Sequence, residues 1–316
     1  MRLKKIKRAL KPFITKLVAS LLPRKILLDK ESFEILESYG YHVTPVHYYY
    51  PIPDTRELDE EILNRRTELK GIDVNEKIQL GLLSYFKENY KDEYDRIPKE
   101  ETGVPYEYYL NNGAFAGVDG EILYCMIRHF KPCKVFEIGS GYSTCLSARA
   151  ILENKKSGVN TELHAFEPYP NFILKKGFQG LSYLHEIKLQ DLPLSAFDDL
   201  KEKDILFIDS SHVLKIGSDV QYEYLEILPR LNKGVIVHLH DIFLPAEYPR
   251  KWLKEDHLFW NEQYLLQAFL QFNDTFEIIW AGSYMHLKYP DRLRAAFNSY
   301  NPETVRPGSL RMRKVR

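Results

Sequence analysis

The segment Val135-Phe136-Glu137-Ile138-Gly139-Ser140-Gly141-Tyr142-Ser143-Thr144 carries an apolar run into a helical pattern through two glycines. Gly139 and Gly141 permit a tight turn and let a ligand approach the backbone, at the carboxyl edge of a sheet where open α/β folds bind ligands. A pyrophosphate site wants a third glycine three residues after the second, and Thr144 stands there instead. Glu137, just before the turn, would repel a pyrophosphate and could hold an ammonium. Glu167 closes Ala165-Phe166-Glu167-Pro168, where a carboxylate can accept both hydroxyls of a ribose. Asp191, after Gln190, could accept a hydrogen bond from an adenine amino group or be an exposed turn residue. A second group lies in Phe207-Ile208-Asp209-Ser210-Ser211-His212 and His238-Leu239-His240-Asp241-Ile242. Asp209 and Asp241 beside three histidines exceed what helix capping requires, and the set suits general-base or metal chemistry.

The elements that must position these residues are read from periodicity. Short apolar runs at Cys133 to Ile138, Leu163 to Phe166, Tyr183 to Leu189, Ile205 to Ile208 and Val235 to Leu239 alternate with helical patterns. That alternation predicts five parallel strands in a doubly wound sheet, with both acid-histidine strand ends at one crevice. Phe276 to Trp280 and Tyr284 to Leu287, joined by Ala281-Gly282-Ser283, predict an antiparallel C-terminal hairpin. The expected order is a basic amphipathic helix over 1–27, a helical cap and substrate region over 28–116, the sheet domain over 117–292 and a basic tail over 293–316, mobile from Arg306 to Arg316. The prolines of His47-Tyr48-Tyr49-Tyr50-Pro51-Ile52-Pro53-Asp54 hold that stretch extended. Its tyrosines could wall the crevice or simply pack a lid.

Lys plus Arg equals Asp plus Glu at 44 each among 316 residues, so no whole-molecule field draws the chain to nucleic acid. Cys125, Cys133 and Cys145 are odd in number and make no CxxC pair, which fits reduced, buried thiols. At the N-terminus Arg2, Lys4, Lys5, Lys7, Arg8, Lys11 and Lys16 are set among Leu3, Ile6, Leu10, Phe13, Ile14, Leu17 and Leu21 at helical spacing. Its longest apolar run, Leu17 to Leu22, is too short to span a bilayer, and Lys16 interrupts what a signal peptide would need. The expectation is a cytoplasmic protein whose residues 1–25 either pack on the protein or make peripheral contact with the inner membrane surface.

Residues from about Val43 to Leu287 resemble class I S-adenosylmethionine-dependent methyltransferases, particularly the group with macrolide-sugar and rhamnosyl O-methyltransferases. Glu-Ile-Gly-Ser-Gly followed by Ser-Thr, and Phe-Ile-Asp-Ser-Ser-His, carry the resemblance. It implies a Rossmann-like core with Glu137, Gly139, Ser140, Gly141 and Thr144 around the methionine part of the cofactor. Glu167 would take the ribose, with Asp191 and Asp209 completing the cofactor set. The Asp-x-x-His unit implies Asp209 as metal or substrate ligand and His212 as base, acting with Asp241 on a sugar, glycan or small-metabolite hydroxyl. Related metal-dependent enzymes place an acid or amide beside the aspartate after the fifth strand, whereas this chain has His240 before Asp241 and Ile242 after it. Because Mg²⁺ prefers oxygen ligands, either another residue such as Glu262 completes the site or catalysis is metal-free. A nicotinamide-dependent oxidoreductase and a non-catalytic adenosyl-ligand scaffold are the rival readings.

Overall fold

The computed structural model describes residues 2–22 and 29–316, with backbone alone at 2–9. Residues 23–28, which include the end of the predicted basic segment, lie outside the described residues. The chain forms two units, Met1–Ile62 and Leu63–Arg316. In the first, α1 (Arg2–Leu21) contains Pro12, and α2 (Lys30–Ser38) is capped by Asp29, whose carboxylate accepts the Ser32 N–H. His47 stacks on Tyr48 at 4.3 Å between ring centroids, and Tyr48 lies 4.5 Å from Tyr49. Over 57–70, within the predicted helical cap, helical structure is limited to α3 (Glu60–Leu63). None of the described residues before Leu63 is buried.

The second unit is built on β1 (Lys134–Ile138), β2 (Glu162–Phe166), β3 (Tyr183–His185), β4 (Ile205–Ile208), β5 (Ile236–Leu239), β6 (Phe276–Ala281) and β7 (Leu310–Lys314). They form one sheet in the order β3-β2-β1-β4-β5-β7-β6, the first five parallel and β7 antiparallel to both neighbours. β4 and β5 are buried at every position, as strands covered on both faces should be. One face packs against α4 (Glu76–Tyr94), α5 (Asp119–Phe130) and α6 (Tyr142–Lys155) through Phe86, Ile122, Met126, Val135, Ile151, Phe207 and Trp280. The other holds Phe136, Phe166, Phe197, Tyr224, Val237, Leu266 and Met312. Around it lie α8 (Asp219–Tyr222), α9 (Leu228–Arg230) and α10 (Glu262–Leu270), whereas α7 (Phe172–Lys176) packs Ile173 against the first face. A π-helical turn at Glu223–Ile227 joins α8 to α9. No described helix is long and apolar enough to cross a membrane.

Two expectations at the C-terminus are corrected. The antiparallel pair exists, but Tyr284 to Leu287 belongs to α11 (Gly282–Lys288), which is followed by α12 (Pro290–Ala296). Helical spacing lets Tyr284 and Lys288 meet one partner, Glu76, which also accepts the Tyr289 hydroxyl at 2.7 Å. The predicted mobile tail supplies β7, with Leu310 and Met312 buried in the second core. Its cations have partners: Arg313 pairs with Glu277, and Lys314 donates to the Pro229 carbonyl at 2.6 Å. Arg311 is fully buried and donates to the Asp119 carbonyl, while the Asp119 carboxylate accepts the Gly308 and Ser309 amides. Cys125 and Cys145 are buried as expected, but Cys133 is exposed. The predicted cap helix α4 is part of the second unit, burying Leu83, Phe86 and Tyr94 in its core.

Candidate active site

The chain leaves β1 towards β2 and β3, then returns on the other side as β4 and β5, so the crevice opens between the ends of β1 and β4. Gly139 sits at that switch point with φ +77°, its N–H donating to the Phe166 carbonyl at 2.9 Å. A Cβ here would lie 1.9 Å from the Asp209 carbonyl oxygen, so only glycine fits both the left-handed backbone and the space. Gly141 is different: its backbone is extended and a Cβ would meet nothing of the protein, leaving the approach open.

A cleft of about 500 Å³ runs from this turn, lined by Gly139, Glu167, Tyr169, Leu189, Gln190 and Asp209 among others. That volume suits a nucleoside-sized ligand. Glu167 is held in place by the Ser140 N–H at 3.3 Å and the Tyr169 N–H at 2.9 Å, which fixes one carboxylate oxygen on each side. Asp191 lies on an exposed turn, outside the residues lining the cleft, and Gln190 occupies the lining position beside it.

Glu137 departs most from expectation. It is fully buried below the turn, accepting hydroxyls of Ser143 at 2.6 Å, Thr144 at 2.8 Å and Ser147 at 3.5 Å. Burial pushes its carboxyl up to about 8, against the three hydroxyls that stabilise the charged form. With no surface on the cleft, Glu137 cannot itself grip an ammonium. Instead it ties α6 to β1, and Thr144 passes the tie on by accepting the Gly141 N–H at 3.0 Å.

The second group gathers at the ends of β4 and β5. Asp209 Oδ1 lies 3.2 Å from His240 Nδ1 and 3.3 Å from His212 Nε2, and Asp241 Oδ2 lies 3.5 Å from His212 Nε2. His212 Nδ1 meets Glu262 Oε2 at 2.8 Å, and Glu262 Oε1 accepts the Tyr224 hydroxyl at 3.0 Å. His212 and Asp241 both have left-handed backbones, φ +58° and +57°, a strain that persists where surroundings over-determine it. Here the His212 carbonyl accepts the Asn261 and Glu262 amides at the start of α10.

The charges of this cluster are mutually dependent. Burial alone would lower His212, but its bonds to Asp209 and Glu262 outweigh it and push the imidazole up to about 11. His240 is likewise carried up to about 9, burial opposing and the Asp241 and Asp209 charges prevailing. Burial works to raise Asp209, yet the two histidines hold it well below the usual carboxylate range, whereas Asp241 is raised because burial prevails.

Comparison with known proteins completes the assignment. Residues 136–242 match the family described as "Methyltransferase domain", the stretch from the glycine turn to the end of β5. An uncharacterized protein of Archaeoglobus fulgidus is 36% identical over 188 residues, covering 57% of this chain and 82% of the relative. The chain therefore carries a methyltransferase domain. Among solved structures, CmcI-N160 with SAH gives a TM-score of 0.38 at 14% identity, covering 71% of this chain and 91% of that one. The O-methyltransferase from Bacillus cereus in complex with SAH gives 0.34 at 13% identity, covering 75% and 91%.

In this methyltransferase the sequence-derived residues fall into two sets. Gly139 and Glu167 line the cleft, Ser140 and Gly141 continue the turn outside its lining, and Glu137 and Thr144 are buried. Asp209, His212, His240 and Asp241 form the second set. Asp209, His240 and Asp241 each offer a ligand atom, all within 4.8 Å of one another, a donor set that fits a divalent cation. One imidazole with two carboxylates suits a transition metal as well as it suits Mg²⁺. Glu262 is not among these donors, because both its oxygens are engaged by His212 and Tyr224. Sequence reading also missed Trp260, whose ring lies 4.4 Å from that of His212, and Phe115, 4.8 Å from His240. No local spacing marks either; a buried acid at the start of α10 was the available signal for that segment.

Proposed function

We propose that this methyltransferase moves the methyl group of S-adenosylmethionine to a hydroxyl oxygen of a sugar, glycan or other small metabolite. The observation that carries this reading is the position of Asp209, which lines the cofactor cleft and is at the same time a member of the carboxylate-histidine cluster. The proton-handling groups therefore border the end of the cleft where methyl transfer would occur. The tight turn at Gly139 leaves the backbone free to meet the methionine part, and Glu167 is oriented to accept the ribose hydroxyls. In the transfer an acceptor oxygen lone pair attacks the methyl carbon, the carbon–sulfur bond breaks, and the neutral thioether leaves.

The acceptor proton must go to the protein. His212 Nδ1–H donates to Glu262, which orients the ring and leaves Nε2 facing Asp209 and Asp241 as the atom that exchanges protons. The unaided cluster keeps His212 protonated at neutral pH, in contrast to the simple base of ordinary histidine pKa that the sequence suggests. A divalent cation held by Asp209, His240 and Asp241 would supply a Lewis acid that lowers the pKa of an acceptor hydroxyl. Asp209 and Asp241 also face His212 Nε2, so a cation held on them would weaken the grip of His212 on its proton.

Calorimetry with S-adenosylhomocysteine and a labelled-methyl screen over hydroxylated acceptors, with and without chelator and added Mg²⁺ or Mn²⁺, test the proposal. Binding of S-adenosylhomocysteine with label entering a hydroxyl supports it. Stabilisation by NADH in place of S-adenosylhomocysteine returns the oxidoreductase reading, and binding without transfer to any acceptor returns the scaffold.

A further inference from the structure

The helix α1 takes no part in either the cleft or the cluster. At about 100° per residue, Leu10, Phe13, Ile14, Leu17, Val18 and Leu21 fall within an arc of roughly 140°. These six side chains are 47% to 68% exposed, and none of the described residues of this unit is buried. Lys16 lies on the opposite side of the helix and Lys11 borders the arc next to Val18. The charge is segregated along the chain: nine cations and no acid precede Asp29, while the remainder carries 35 cations and 44 acids. A molecule neutral as a whole thus has one strongly basic end.

We propose that α1 is a docking element for an anionic lipid surface, lying in the interface plane with its apolar arc among the acyl chains and its cations at the headgroups. The helix is 20 residues long but laced with cations, so it lies on a bilayer and does not span one. Charge selects this occupant over a second copy, since pairing two such helices brings seven cations against seven. A nucleic acid would satisfy the cations and leave the apolar arc in water; an anionic bilayer satisfies both.

The test is flotation of the full-length protein with vesicles of phosphatidylcholine alone and of equal parts phosphatidylcholine and phosphatidylglycerol. Binding is expected on the anionic vesicles at about 0.15 M salt, and much less at about 1 M, where screening is stronger. Phe13→Glu and Leu17→Glu should each lower partitioning at least about tenfold, as a large apolar side chain is withdrawn from lipid. Lys11→Gln with Lys16→Gln should lower it roughly twenty-fivefold, at about fivefold per cation. None of these residues belongs to the cleft or cluster, so S-adenosylhomocysteine affinity should stay at the parent value and report that the second unit is folded. Failure of the full chain to float with anionic vesicles at the lower salt overturns the proposal. Equal flotation of Phe13→Glu, Leu17→Glu and the parent also overturns it. Concentration-dependent self-association that Leu17→Glu abolishes, without vesicle binding, would give the arc to a second copy instead.

Discussion

On the β1–β2 side of the crevice the residues that sequence reading assigned come from two short runs, Glu137 to Thr144 and Glu167 just after β2. On the β4–β5 side its members come from Asp209 to Glu262, across two strand ends, a long connection and the start of α10. The first side works through backbone shape: Gly139 provides the only conformation and the only volume that let β1 turn under Asp209. The second works through mutual charge, in which His212 and His240 stay protonated because of the carboxylates around them. A site made of shape should fail by steric damage and drag stability with it. One made of charge should fail in turnover and pH response while the fold survives.

The largest effect is expected on the shape-built side. Gly139→Ala places a methyl 1.9 Å from the Asp209 carbonyl on a backbone with φ +77°. It should cost about 3 kcal/mol, or roughly 6–12 °C in Tm for a domain of this size, with loss of S-adenosylhomocysteine binding. Thermal melts and calorimetry measure both. A variant that melts and binds like the parent would show that the turn tolerates a side chain and would erase the contrast.

On the charge-built side, Asp241→Asn should reduce methyl transfer roughly 10²–10³-fold, the range seen when one preorganised charged group is removed. Stability should change by less than in Gly139→Ala, and S-adenosylhomocysteine affinity should hold, because Asp241 is outside the residues lining the cleft. Glu262→Gln is the milder test, expected to cost about 10- to 100-fold in turnover as the group that orients His212 weakens. It also carries a pH signature. A histidine raised from 6.5 to about 11 contributes stability fully present below pH 6.5 and lost as pH rises towards 11. In chelator-treated protein, the parent should lose denaturation free energy across that window more steeply than Glu262→Gln; parallel slopes would remove Glu262 from the control of His212.

The same contrast explains what could be read from the chain. Glu137 to Thr144 and Ala165 to Pro168 are contiguous, so the turn, the five parallel strands and the place of Glu167 follow from local pattern. Asp209, His212, His240 and Asp241 are legible too, each lying at a strand end. What connects His212 to Glu262 is 50 residues of chain, and nothing local says that the start of α10 returns to β4. The C-terminus misled for a different reason. Arg311, Arg313 and Lys314 look like a solvated tail, and only pairing with β5 and β6, with partners in Asp119, Glu277 and Pro229, makes a strand of them.

Glu137 divides the two modes most finely, because its charge suggests a ligand for the cofactor ammonium while its burial makes it a strut under the turn. Glu137→Gln keeps the shape and removes the charge. Were the carboxylate the anchor, affinity for S-adenosylhomocysteine would collapse. As a strut whose pKa is about 8, it is largely protonated at neutral pH already, and the amide can accept the Ser143 and Thr144 hydroxyls in its place. At neutral pH the expectation is therefore the smallest of the four, a change within about 1 kcal/mol in stability and about threefold in affinity. The sign with pH follows from the raised carboxyl: between 4.5 and about 8 the folded parent holds a proton that the unfolded chain has released, so its stability falls as pH rises through that window. The amide has no such loss, and Glu137→Gln should gain on the parent steadily up to pH 8 in denaturant titrations. A gain in stability that grows with pH, together with unchanged affinity, makes Glu137 part of the shape-built half; a collapse of affinity at unchanged stability moves it to the charge-built one.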